Sequence, residues 1–132
     1  MSGILFLCVH NAGRSQMAAG FARSLVGDRV QIFSGGSDPA DRVNPMAVEA
    51  MSEVGIDIGG YVPQRFTDEL LASVDVVVTM GCGDTCPSIP GKRYVDWPLE
   101  DPRGQSIEFV RRVRDDIRRR LTDLLAELGT VK

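Results

Sequence analysis

The chain opens on a unit that leaves little choice of fold. Gly3-Ile4-Leu5-Phe6-Leu7 is a continuous apolar run of strand length, the pattern of a strand buried on both faces. Cys8-Val9-His10-Asn11-Ala12-Gly13-Arg14-Ser15 follows directly, and then the periodicity changes. Met17, Ala18, Phe21, Ala22 and Leu25 recur at helical spacing and predict one apolar face on a helix over 15–25. A buried strand passing through a tight turn into an amphipathic helix is the first half of a parallel β-α-β unit. Backbone N–H groups of the turn and the positive end of the helix dipole converge there on one point, which suits an anion.

A cysteine opens this turn and an arginine closes it. The field at the helix start favours thiolate over thiol at Cys8 and so a nucleophile. Arg14 adds a planar fork that can grip a tetrahedral oxyanion at two points. An isolated cysteine is more often a small buried hydrophobe. The strand, the five-residue gap, the Arg14-Ser15 pair and the helix behind them together outweigh that reading. Val9, His10, Asn11, Ala12, Gly13, Arg14 and Ser15 are therefore the expected anion-binding residues. Ser15 is either simply the first polar residue of the helix or a hydroxyl donor to the Cys8 sulfur that stabilises its charged form. Asn11 holds the loop by local side-chain hydrogen bonds or serves through its backbone alone. His10, the sole histidine, reads as lining the loop, because an ionised sulfur needs no general base.

Further along, Gly27-Asp28 predicts a turn and Val30–Phe33 a second strand, followed by a loop from Ser34 to Asn44. Asn44-Pro45 reads as an N-cap with proline in the first helical position, and Gly55 is placed to end that helix. Thr67 is the N-cap candidate of a short helix with two acids in its first turn. Val74–Met80, β-branched and apolar, is the strongest strand, and Lys92–Trp97 is a fourth candidate. Ile107, Val110, Val113, Ile117, Leu121, Leu124 and Leu128 step along one face of a long helix whose other face, mainly Arg, Asp and Glu, reads as solvated and ion-paired. Trp97 reads as core or rim packing.

Alternation of strands and helices predicts an α/β fold with three layers, a four-stranded parallel sheet flanked by helices. In such sheets ligands sit beyond the carboxyl ends of the strands. The Cys8 turn, the Cys82 loop and the Asp101 loop each follow a strand and can share that rim. The 132 residues suit a single domain, 1–132, with a proper core. A net charge of −3 gives no support for nucleic-acid binding. No apolar stretch approaches the ~20 residues of a membrane span, and no signal-like segment opens the chain, so a cytoplasmic protein without membrane association is expected. Three cysteines in such a chain point to metal or redox chemistry. Cys82 and Cys86, with no histidine nearby, would supply half a tetrahedral zinc shell, so no metal is expected. Asp101-Pro102 could by itself simply begin a turn.

Taken together, Cys8-x5-Arg14-Ser15 after the first strand and Asp101-Pro102 after the fourth resemble the low-molecular-weight tyrosine phosphatase superfamily. The pair Cys82 and Cys86, with Arg14-Ser15-Gln16-Met17-Ala18, Asn44-Pro45-Met46-Ala47-Val48 and Glu53-Val54-Gly55-Ile56-Asp57-Ile58, narrows the resemblance to arsenate reductases of the thioredoxin-coupled type. The resemblance implies that Cys8 attacks arsenate held by the loop amides and Arg14, while Asp101 protonates the departing oxygen. It further implies that Cys82 attacks Cys8 and releases arsenite and that Cys86 then attacks Cys82; bridging two cysteines four apart is expected to loosen the 81–90 segment on oxidation. No bound cofactor is implied. Thioredoxin is the implied external reductant, ahead of mycothiol or glutaredoxin, with phosphate or sulfate competing for the arsenate site; a monomer is the expectation for a domain of this size. Some members of the superfamily bind potassium beside the anion loop. Here the matching positions are Ala19, Val62 and Gln64, with only Asn11 and Ser34 retained, so no potassium site is expected. Two other readings stand beside this one, a phosphatase of the same fold and a non-enzymatic redox or oxyanion sensor. Against the phosphatase, Arg103-Gly104 stands where such enzymes usually carry tyrosines.

Overall fold

The computed structural model describes residues 3–81 and 92–129. Cys82 and Cys86 lie outside the described residues, as does nearly all of the 81–90 segment. β1 (Gly3–Cys8), β2 (Gln31–Gly36), β3 (Val76–Thr79) and β4 (Arg93–Asp96) form one sheet in the order β2-β1-β3-β4. Every pairing is parallel. The chain leaves β1 to one side to make β2 and then crosses to the other side for β3. β1 is thus the switch point, and the carboxyl end of such a strand opens onto a crevice. Cys8 is the last residue of β1.

β1 explains both faces of the fold. Ile4, Phe6 and Cys8 point into a large core with α1 (Arg14–Val26), α2 (Pro45–Ser52) and α4 (Ile107–Glu127). Leu5 and Leu7, one residue out of step, point into a smaller cluster with Leu71 of α3 (Asp68–Ser73) and Val77. A strand covered on both sides needs no polar face, and all six residues of β1 are buried. The three layers and the parallel sheet are as the alternation predicts. Trp97 packs in the larger core, its ring 6.3 Å from that of Phe6.

Caps set the helix starts. The Asn44 side chain accepts from Met46 N at 2.9 Å with Pro45 at the first helical position. Thr67 Oγ1 accepts from Leu70 N at 3.0 Å. Ser106, not singled out in the sequence, caps α4 by accepting from Phe109 N at 3.3 Å. α1 has no side-chain cap: Gly13 stands at its N-cap position.

Three expectations need correction. Leu25 is 38% exposed, and Val26 is the buried residue at the end of α1. β2 does not stop at Phe33 but continues through Ser34-Gly35-Gly36, whose composition suggested a loop. The glycines extend the strand because no side chain fits there: a Cβ on Gly36 would lie 2.6 Å from the Val9 carbonyl oxygen. The polar face of α4 is not wholly solvated either. Arg114 is buried, donating to Ala50 O at 2.9 Å and to Glu53 Oε1 at 2.8 Å. Glu53 also takes Arg111, and these hydrogen bonds, that of Arg111 first, hold its carboxyl down to about 2 from an ordinary 4.5. The clasp joins α2 to α4. Among the described residues no helix is long and apolar enough to cross a membrane.

Candidate active site

The loop between β1 and α1 is shaped by where its carbonyls go. Val9 O accepts from Asp38 N at 2.8 Å, His10 O from Ala40 N at 3.0 Å and Ala12 O from Asn44 N at 2.8 Å. Asn11 O accepts from Gln16 Nε2 at 3.1 Å, and Gly13 O from Met17 N at 2.9 Å. In a trans peptide the C=O and the next N–H point opposite ways. With the carbonyls of residues 9 to 13 all engaged outward, the amides of residues 10 to 14 turn toward the hollow over Cys8. That hollow also receives the uncapped start of α1.

Asn11 makes this turn possible. Its backbone is left-handed at φ 49°, a conformation asparagine tolerates better than other residues with a side chain. Its fully buried side chain then becomes the hub. Nδ2 donates to Ser15 Oγ at 2.7 Å, while Oδ1 accepts from Gln64 N at 2.9 Å and Gln16 Nε2 at 3.2 Å. Ser15 Oγ lies 3.0 Å from Cys8 Sγ. Either atom of that pair can donate while the sulfur carries its hydrogen; to a Cys8 thiolate the Ser15 hydroxyl is the donor. Cys8 is a free, buried cysteine, 2% exposed, at the floor of the hollow.

Arg14 is buried and aimed across the rim. Its NH1 donates to Leu99 O at 3.2 Å, and its NH2 lies 3.6 Å from Asp101 Oδ2. Gly81, at φ +81°, leaves the room: a Cβ there would meet Arg14 NH1 at 2.5 Å. Asp101 itself is half-exposed and accepts from Arg103 N at 3.0 Å. Together these groups border a pocket of about 220 Å³ whose wall includes Cys8, Arg14, Asp101 and two further arginines, Arg42 and Arg103. Three guanidinium groups against one carboxylate make it a cationic cup. Such a cup over a sulfur can hold a tetrahedral oxyanion against a nucleophile, with a carboxyl at the rim to exchange a proton.

Of the residues singled out from the sequence, the structure brings Cys8, the 9–15 loop, Arg14 and Asp101 to one place. Among the described residues no group of three or more His, Cys, Asp or Glu could hold a metal ion. Sequence reasoning named Gln16, Gln64 and Asn44 for other reasons and missed that Gln16 and Gln64 serve Asn11 and that the 38–44 segment takes the loop's carbonyls. The Gly35-Gly36 pair, read as loop, could have signalled that a backbone passes close by, which is that of Val9 and Asn11. Gln64 Nε2 also donates to Ser34 O at 2.9 Å, so two positions of the potassium comparison are joined directly to each other.

Comparison with known proteins gives a consistent picture. A family model described as low molecular weight phosphotyrosine protein phosphatase matches residues 3–132. A putative arsenate reductase of Halobacterium salinarum is 43% identical over 129 residues, covering 94% of this chain and 91% of that protein. The glutaredoxin arsenate reductase of Synechocystis is 38% identical over 132 residues, covering 98% and 100% respectively. Among solved structures, the thioredoxin-dependent arsenate reductase of Corynebacterium glutamicum superposes with a TM-score of 0.86 at 39% identity. That match covers 98% of this chain and 62% of the other.

Proposed function

This chain belongs to the low-molecular-weight phosphotyrosine protein phosphatase family, and within it we propose that the protein is an arsenate reductase. The observation that carries the reading is the cup itself: a free cysteine sulfur under inward-turned amides, faced by Arg14 and Asp101. Relatives named as arsenate reductases, similar over nearly the whole chain, support the substrate.

In this reading Cys8 attacks arsenate as the thiolate, and Asp101 gives a proton to the departing oxygen, which leaves as water. The product is a Cys8–arsenic(V) adduct held by the loop amides and Arg14. Cys82, as thiolate, attacks the Cys8 sulfur. The S–As bonding pair passes to arsenic, which leaves as arsenite(III), and a Cys8–Cys82 disulfide forms. Two electrons have moved from two thiols to arsenic. Cys86 then attacks Cys82, freeing Cys8 and leaving Cys82–Cys86 for an external dithiol. Arg14 changes partner in the first step, because the guanidinium that now rests near Asp101 must turn its fork to the oxyanion.

Thioredoxin is the proposed reductant. Two cysteines beyond the nucleophile provide an internal resolving pair, and the Corynebacterium neighbour is named as thioredoxin-dependent. The Synechocystis relative is named for glutaredoxin, so mycothiol and glutaredoxin are the arms to compare. We place the protein in the cytoplasm as a monomer with no bound cofactor. The phosphatase reading has one observation against it: among the described residues, the pocket wall after Pro102 is the cationic Arg103, with no aromatic ring to hold a phenyl ester.

The test is arsenate-dependent NADPH oxidation through thioredoxin and its reductase, with each cysteine changed singly to serine. Loss of turnover in all three, with a Cys8–Cys82 disulfide accumulating in Cys86→Ser, is the expected result. Loss in Cys8→Ser alone, together with phosphate-ester hydrolysis, would replace this reading with the phosphatase. Oxidation of the thiols without turnover would replace it with a sensor.

A further inference from the structure

His10 and Arg103 face each other across the pocket from two different loops, and the bond between them fixes a proton. Arg103 NH1 lies 3.2 Å from His10 Nε2, and His10 Nδ1 lies 3.1 Å from Asp38 O. A guanidinium only donates and a carbonyl only accepts. Both partners therefore demand the same neutral imidazole, with the hydrogen on Nδ1 and a bare Nε2. From there the connection continues to Asp101, because the Arg103 backbone N–H donates to Asp101 Oδ1 at 3.0 Å. One unbroken path thus runs from the 38–44 segment through His10 and Arg103 to the rim carboxylate.

We propose that His10 and Arg103 form a latch that seats the Asp101 loop over the anion loop, which makes both of them positioning residues for the reaction. The proposal rests on the arsenate reductase reading for what Asp101 does once seated. Other ties hold the same loop: Arg14 reaches Leu99 O and Asp101, and Pro102 packs over Gly13, where an added Cβ would meet its ring at 3.2 Å. The Arg14 ties share a guanidinium that an incoming oxyanion also claims. The latch does not. It keeps Asp101 in place at the moment Arg14 turns to the substrate, when a displacement of the acid by about 1 Å would cost on the order of 10²-fold in rate. It also gives Arg103 a task other than gripping the anion directly, and the two roles separate kinetically.

Because the chain has a single histidine, the imidazole nitrogens of ¹⁵N-labelled protein can be read by NMR without ambiguity. The wild type is expected to show the Nδ1-protonated form, Arg103→Ala the same tautomer, still held by Asp38 O, with the signal of the bare Nε2 moved downfield by loss of its donor, and Arg103→Lys, which retains a donor, the wild-type pattern. In turnover, Arg103→Ala and His10→Ala each lower kcat for arsenate roughly 10- to 100-fold with KM held. The double variant falls no further than the worse single one, and Arg103→Lys recovers most of the loss. An Nε2-protonated wild type overturns the latch. Additive losses, an unchanged kcat, or a loss confined to KM overturn the positioning role, the last because it would make Arg103 a ligand of the anion. A wild type that makes no arsenite defeats the functional reading instead, and the imidazole signals still decide whether the latch exists.

Discussion

Replacing Asn11 by alanine removes the hub of the anion loop, and the structure gives the size of the effect. Three side-chain hydrogen bonds are lost, to Ser15 Oγ, Gln64 N and Gln16 Nε2. Each is worth about 1 kcal/mol net, and more where a buried partner is left without another. Alanine must also hold the left-handed φ of 49°, which costs it roughly 1–2 kcal/mol. The expected destabilisation is about 4–5 kcal/mol, a large share of the stability of a domain this size. Glycine at the same position loses the hydrogen bonds but not the backbone conformation. Asn11→Gly is therefore expected to recover roughly 1 kcal/mol of the loss. Urea unfolding, with the slope m unchanged, measures all three proteins. An alanine variant within about 1 kcal/mol of wild type, or a glycine variant no more stable than the alanine one, would refute the role of Asn11.

Other perturbations follow from the same geometry. Gly36→Ala drives a methyl toward the Val9 carbonyl oxygen, 2.6 Å away. It should lower arsenate turnover by at least about 10-fold while far-UV circular dichroism stays native, and normal turnover would contradict the close approach. Glu53 has its carboxyl held to about 2, first by the Arg111 hydrogen bond. The clasp's contribution is then complete above the ordinary value of 4.5 and is lost as pH falls toward 2. Wild type and Glu53→Gln should differ in urea midpoint near neutrality and converge in acid, whereas a gap independent of pH would sink the assignment. Ser15→Ala removes the hydroxyl 3.0 Å from the Cys8 sulfur. It should slow alkylation of Cys8 by iodoacetamide at neutral pH, and an unchanged rate would show that the hydroxyl does not act on the sulfur.

Much of this was legible because single residues carry unambiguous instructions. The run Ile4–Leu7 reads as a strand covered on both sides, and Asn44-Pro45 as the start of a helix. The five residues between Cys8 and Arg14 set a loop of the right size for an oxyanion. What escaped the sequence depends on contacts between distant segments. Nothing local shows that Asp38, Ala40 and Asn44 would supply the N–H groups for the loop's carbonyls. Nor does the sequence show that Gln64 would reach Asn11 from 53 residues away. Gly35-Gly36 was read by its composition as a loop, whereas the crowding of Val9 made it the end of a strand. Leu25 has the right spacing for the buried face, but spacing does not show whether another element covers the end of the helix, and there Val26 is buried instead. Arg114 was assigned to water by its charge, but Glu53 and Ala50 O offered it partners inside.

One measurement bears on the central claim more directly than any other: a single turnover with no external reductant present. Fully reduced protein is mixed with arsenate, and the arsenite released is counted against the thiols lost, with peptide mapping to locate the disulfide. The account predicts one arsenite per chain and two thiols lost for each, ending in a Cys82–Cys86 disulfide with Cys8 again free. Arsenite formed without loss of thiols, or a final disulfide that retains Cys8 in the intact protein, would contradict it.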